Sequence, residues 1–228
     1  MTRRHPGAPS GDVAPLRDLL RAATPDEAAR MLLGGTLSHG PVAVRIVEVE
    51  AYGGPPDSGF PDAAAHTWPG PTPRNRVMFG DAGHLYVYLS HGIHQCVNIT
   101  CRPPGEGGGV LLRAARVEEG HEVVADRRPG IPFDRAARGP GNLGRTLGID
   151  LSFRRMDVLD SSSSVTFRPG FTADGDIRSG PRVGVSREAD RHWRFWLAGA
   201  REVSAYRRSP RAPAPERHLS DIRADGGE

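Results

Sequence analysis

Lysine is absent from this chain of 228 residues, so all 30 basic side chains are arginine. No side-chain amine is available to form a Schiff base, which excludes that route of covalent catalysis. Cysteine is almost absent as well. Cys96 and Cys101 are too few for a disulfide framework and agree with a reducing compartment. Hydrophobic residues make up only 37% of the chain, and no apolar run approaches the length needed to span a bilayer. The opening MTRRHPGAPSGD lacks the apolar centre of a signal peptide. A cytoplasmic protein with no membrane partner is therefore expected. Walker loops, dinucleotide fingerprints and nucleophile elbows are missing too, and Gly105 to Gly109 reads as a turn rather than a phosphate loop.

What is abundant is glycine (29) and proline (21), spread along the whole length. That composition suits one core wrapped in long loops, and the length suits one large domain. Residues 1–13 and 207–228 are rich in Pro, Ala and charge without periodicity, so both are expected to be disordered tails around a domain at 14–206. Net charge is only +3, but residues 127–155 hold seven arginines against Asp134 and Asp150. A phosphate-bearing partner would suit this patch, which includes Arg138 and Arg145, and so would an ordinary solvated loop and helix surface.

Thr24-Pro-Asp-Glu27 is a capping box with proline at the first helical position, predicting a helix through Leu32 that stops at Gly34, after a shorter helix over Leu16 to Ala22. From Val42 the period becomes two. Val44, Ile46, Glu48, Glu50 and Tyr52 are expected on one strand face, with Ala43, Val47, Val49 and Ala51 on the other. A long Gly/Pro loop follows, carrying His66 and the cluster Arg74-Asn75-Arg76. His84 to Leu89 and Ile93 to Thr100 predict a hairpin with His91 at its tip. Further expectations are a strand at Val110 to Ala115 with Arg113 beside Leu111, a helix at Val117 to Val124, and a helix at Pro140 to Ile149. Short strands are expected at Val165 to Phe167, Arg182 to Ser186 and Trp193 to Leu197. Strands outnumber helices and neighbours are hairpin-linked, so the class is α+β, one domain around a mostly antiparallel sheet.

Glu48 and Glu50 share a strand face at roughly 6 to 7 Å, close to the spacing of a glycosidic acid/base pair. Alternatively Glu48 is a structural carboxylate bonded to an arginine, leaving Glu50, at the strand's end, as the catalyst. His91, His94, Cys96 and Cys101 resemble a zinc set in spacing, but strand alternation splits them between faces, so no metal and no other cofactor is expected. Tyr52, His66, Tyr86 and Tyr88 suit stacking on a planar base and a lone carboxylate suits activation of water, although strand tyrosines also pack simply as core. The residues alone point to a hydrolase of a planar, sugar-linked substrate.

The blocks E-V-E-A-Y, A-A-A-H, T-P-R-N-R-x-M-F, G-x-L-Y-V-Y, C-V-N-I, V-L-L-R-A, G-P-G-N-L-x-x-x-L-G-I and R-V-G-V occur in unbroken order over roughly residues 15 to 205. Together they resemble the alkyladenine (3-methyladenine, methylpurine) DNA glycosylase family, in its bacterial form. The resemblance implies a mixed α/β domain with a curved antiparallel sheet that flips an alkylated or deaminated purine (3-methyladenine, hypoxanthine, ethenoadenine) from duplex DNA and hydrolyses its N-glycosidic bond, starting base excision repair at the nucleoid. Glu50 would be the general base and Arg113 its neighbour in the pocket. Tyr52, His66 and Tyr88 would enclose the base, and Asn98 would screen against the amine of guanine. His91 stands where the family's wedge tyrosine sits, and the Tyr52–His66 loop is longer than in mammalian members. His91, Arg74, Arg76, Arg138 and Arg145 would meet DNA. With no lysine, the enzyme would be monofunctional, and a monomer is the default. Two rivals from other classes are a non-enzymatic damaged-DNA binder, and a nucleoside or glycoside hydrolase using Glu48 with Glu50.

Overall fold

The strand that carries the two glutamates is the axis of the sheet. In the computed structural model, which describes residues 13–214, β2 (Val42–Tyr52) pairs with three partners at once, and nine of its 11 residues are buried. Its first half lies antiparallel to β1 (Thr36–His39), its second half to β8 (Arg194–Leu197), and its whole length to β5 (Gly109–Glu119). The hairpin β3 (Leu85–Ser90) and β4 (His94–Thr100) joins through β4 to β5. On the other side β6 (Val165–Arg168) extends β1, and β7 (Ile177–Gly180) pairs with β8. Every strand pairing is antiparallel, so the class is α+β, with a curled sheet and few helices.

One face of the sheet is covered by helices. α1 (Val13–Ala22) and α2 (Pro25–Leu32) contribute Leu16, Leu20, Ala28, Ala29 and Leu32 to a core shared with Val44, Ile46, Val49, Ala51, Val87, Ile99 and Leu112. The Thr24 hydroxyl accepts from the Glu27 backbone N–H while the Glu27 carboxylate accepts from Thr24 N–H at 2.8 Å, the reciprocal cap expected from the sequence. Three short helices follow β5: α3 (His121–Arg127), α4 (Phe133–Ala136) and α5 (Pro140–Leu147). Leu143 and Leu147 of α5 enter the same core. Both cysteines are free and buried, and burial pushes the Cys101 thiol up to about 12. Among the described residues no helix is long and apolar enough to cross a membrane.

Four expectations need correction. Strict alternation along β2 fails at Val47, where the register with β5 shifts on either side of Glu48. An extra residue at a bulge reverses the phase of everything after it. Val44 and Ile46 therefore share the helix-covered core with Val49 and Ala51, while Glu48, Glu50 and Tyr52 point to the opposite side. The helix predicted at Val117 to Val124 is two elements, because Val117 pairs with Val44 as β5 continues to Glu119. Gly120, at φ +77°, then turns the chain into α3. Residues 182–186 are irregular rather than a strand; the strand in that region is β7. Of the expected tails at 1–13 and 207–228, residues 1–12 and 215–228 lie outside the described residues, Val13 opens α1 rather than closing a tail, and 207–214 carry no regular element.

α5 sits against the tip end of the hairpin at two glycines. A Cβ on Gly141 would collide with the His94 side chain, and one on Gly144 with the backbone carbonyl of Gln95. The second neighbour is main chain and cannot swing aside. Gly144→Ala is expected to cost about 1–3 kcal/mol through forced displacement of α5. Urea denaturation measures it, and an unchanged midpoint would refute the close approach.

Candidate active site

On the face away from the helices the sheet leaves a cavity of about 530 Å³. β2 supplies Glu50 and Tyr52, β3 supplies Tyr86 and Tyr88, β4 supplies Cys96 and Asn98, and β5 supplies Leu111 and Arg113. His66 and Ala64 come from the long loop, His91 from the hairpin tip, and Val183 from the irregular segment before β8. Seven residues singled out from the sequence thus meet in one cavity: Glu50, Tyr52, His66, Tyr88, His91, Asn98 and Arg113.

Glu50 has no exposed surface, and each of its polar contacts is a donor. Val183 N–H donates to Oε1 at 2.7 Å, while the Tyr52 hydroxyl (3.0 Å) and Arg113 Nη1 (3.2 Å) donate to Oε2. Glu48 is arranged differently. Its carboxylate accepts from Arg113 Nε at 3.2 Å and from Ser204 N–H and Oγ at 2.7 and 2.8 Å, with Arg194 Nε at 2.8 Å completing an ion pair. It does not line the cavity. The two carboxylates therefore share one guanidinium but face different surroundings, which fits the structural reading of Glu48. Burial disfavours the charge on Arg113, but Glu50 and Glu48 together outweigh that and raise its pKa.

The aromatic wall is built from edges and faces. Tyr86 and Tyr88 stack with centroids 5.7 Å apart, and His66 meets both edge-on at 5.8 and 4.5 Å. The Tyr86 hydroxyl lies 3.1 Å from His66 Nδ1, so a neutral ring can accept its proton. Burial raises the pKa of Tyr52, with the Glu50 charge adding to it, and burial likewise raises Tyr88. Asn98 donates through Nδ2 to Tyr86 O at 3.0 Å, which fixes the amide against the hairpin.

Two devices that hold this wall went unrecognised in the sequence. Asp62 and Arg182 form a fully buried ion pair at 2.6 Å. Asp62 also accepts from Gly53 and Ala64 N–H, and Arg182 donates to Ala51 O while lying 4.7 Å over the Tyr52 ring. Asn75 accepts from Thr72 N–H and donates to His66 O (2.7 Å) and Gly70 O (3.0 Å). A Thr three residues before an Asn is a turn signal that could have exposed the second. An Asp and an Arg 120 residues apart carry no such local mark.

The other predicted contacts scatter. Arg74 and Arg76 are exposed beside the loop, and Arg74 is near enough to act on His66 and Tyr86. Arg138 is engaged with Asp134 and with the carbonyl of Arg201. Arg145 lines a separate groove. At the hairpin tip, His91 (φ +50°) and Gly92 (φ +73°) make the turn, and Ser90 Oγ lies 3.0 Å from His91 Nδ1.

Residues 19–201 match the family model described as methylpurine-DNA glycosylase (MPG). A Mycobacterium sp. (strain KMS) protein named "Putative 3-methyladenine DNA glycosylase" is 56% identical over 199 residues, covering 87% of this chain and 96% of that one. Proteins of the same name from Mycolicibacterium paratuberculosis (55% identity, 84% and 93% coverage) and Nocardia farcinica (54%, 83% and 90%) are similar to the same extent.

Burial, and secondarily the charge of Arg74, hold the His66 imidazole below the ordinary histidine range although the residue stays open to solvent at the cavity mouth. Its stabilising contribution is thus present above the unfolded pKa of roughly 6.5 and is lost as pH falls through the lower folded value. NMR titration should place the His66 midpoint below about 6.5. Arg74→Gln should raise it only part of the way, burial being the larger cause. A midpoint at or above the ordinary value would contradict this geometry.

Proposed function

Because the chain belongs to the methylpurine-DNA glycosylase family, and so is a hydrolase that acts on DNA, we propose that its cavity receives an alkylated or deaminated purine flipped out of duplex DNA, and that Glu50 activates the water that releases it. The observation that carries this is the meeting of one buried, donor-ringed carboxylate with five aromatic or imidazole side chains in a single cavity of about 530 Å³. That size lies in the usual range for a small-molecule pocket.

In this mechanism the lesion base enters between Tyr52 on one side and His66 and Tyr88 on the other, where π faces favour electron-poor rings such as cationic 3-methyladenine. Asn98, pinned by its bond to Tyr86 O, occupies the space that the exocyclic amine of guanine would need. Tyr52, Arg113 and Val183 N–H hold Glu50 so that it can orient a water toward C1′. The C1′–N bond breaks with its electron pair leaving on the base, the water oxygen bonds to C1′, and the water's proton passes to Glu50. A cationic lesion departs neutral without further help, whereas hypoxanthine needs a proton. On this reading the working domain is residues 14–206, acting as a monomer, and His91 replaces the flipped base in the duplex.

Glu50→Gln should lower excision of hypoxanthine or 3-methyladenine by about 10²- to 10⁴-fold while binding to the same duplex persists. Turnover at the wild-type rate would remove Glu50 as the base. Since no lysine is present, borohydride added during turnover should trap no protein–DNA adduct; a trapped adduct would overturn the monofunctional assignment.

A further inference from the structure

A second groove, of about 570 Å³, runs between the hairpin and α5 and is separate from the base cavity. Ile93, His94 and Gln95 form one wall, Gly141, Asn142 and Arg145 the other, and Arg128 and Asp150 close its end. Three independent features give this groove an appetite for an anion. Arg128 and Arg145 lie close enough to repel each other, and neither makes an ion pair or a side-chain hydrogen bond among the described residues. Arg128 Nε and Gln95 Oε1 are buried without partners, and a rotated Gln95 amide presents Nε2 as a donor instead. The eight-residue α5 has no side-chain cap and no acidic residue in its first turn, and Gly141 and Asn142 of that turn border the groove, so no carboxylate from the helix start opposes an anion there.

The charged and titratable groups lining this space are Arg128, Arg145, His94 and Asp150. Asp150 is already occupied, its Oδ1 accepting from the backbone N–H and hydroxyl of Ser152. The groove also begins at the hairpin tip, where Ile93 is 72% exposed. An anion held there sits beside the element that borders the base cavity.

We propose that this groove is a clamp for the DNA backbone, in which Arg128 and Arg145 share one phosphodiester near the hairpin. The proposal rests on DNA being the substrate. Its geometry does not involve Glu50 or the aromatic cavity, so the two readings fail separately. A phosphodiester satisfies what the groove leaves open: it neutralises two like charges and accepts from both guanidinium groups. It carries no sequence information, so the clamp contributes to any duplex, damaged or not.

The test is duplex affinity of the full chain against KCl concentration, for lesion-bearing and undamaged DNA, with Arg128→Gln and Arg145→Gln. Each variant should bind both duplexes about tenfold more weakly at 50 mM KCl and roughly 2.5-fold more weakly at 200 mM, since losing one phosphate contact lowers the salt slope by about 1. Unchanged slopes in both variants overturn the clamp, and so does weakening confined to the lesion duplex. If Arg128→Gln fails to fold, the exposed Arg145 still decides the matter. Inorganic phosphate at matched ionic strength separates the sources: if it displaces DNA from wild type but not from the variants, with slopes unchanged, the groove takes a free anion and the backbone assignment falls. Release of a damaged base by the wild type from the same duplex tests the glycosylase reading independently.

Discussion

A single guanidinium, that of Arg113, lies between two buried carboxylates and sets the register of everything the site needs. Glu48 and Glu50 have no solvent-exposed surface, and the Arg113 side chain has almost none. Desolvating three charges is costly, and the net worth of such a cluster against an apolar core is close to zero or negative. Loss of its centre, however, is severe, because removing Arg113 leaves the Glu50 carboxylate buried without a cationic partner, at about 3–5 kcal/mol, whereas Glu48 keeps Arg194. The cluster therefore acts less as a source of stability than as a constraint. β2 and β5 can pair only in the register that brings Arg113 between the two glutamates. Ser204 and Val183 extend the constraint by drawing two later, irregular segments onto the same carboxylates.

The bulge at Val47 makes this arrangement compatible with a packed sheet. Without the extra residue, Val44 and Ile46 would fall on the face of Glu48 and Glu50, and either charges would enter the helix-covered core or valines would enter the cavity. With it, β2 presents apolar side chains to the helix-covered core from both of its halves and the Glu50 carboxylate to the cavity at its end. Being buried on both faces, the strand cannot move without disturbing core and site together, which is the rigidity that a precisely placed carboxylate requires.

Much of this was legible from residue patterns, and the failures have physical causes. The capping box, the period-two runs and the Ser-His-Gly turn gave α2, the β3–β4 hairpin and the tip residue, because each is decided by local chemistry. The bulge was invisible, since a change of phase within a β-branched run leaves no compositional mark. The strand run through Val117 was mistaken for helix start because Glu118 and Glu119 are exposed and unlike strand residues; pairing with β2 overrode that preference. Residue chemistry alone draws Tyr52, His66 and Tyr88 toward the Glu50 carboxylate, with core packing left open for the tyrosines, whereas Asn98 and the pocket place of Arg113 come only through the family's ordered motifs. Asp62 and Arg182, which hold the loop over Tyr52, join distant parts of the chain and could not be paired from one sequence.

The hairpin divides two environments of opposite character. Cys96 and Asn98 of β4 face the aromatic cavity, Val97 and Ile99 face the core, and His94 and Gln95 beside the tip border the basic groove against α5. The glycines at 141 and 144 let α5 approach so closely that helix and hairpin share backbone contact rather than a layer of side chains. A side-chain layer would yield by rotamer changes, whereas main chain against main chain does not. The position of the hairpin tip over the cavity is consequently tied to α5, and through Leu143 and Leu147 to the core beneath. A turn that would otherwise be free at its end is thereby held to the same frame as Glu50, so the tip and the carboxylate keep a fixed spacing although no bond joins them.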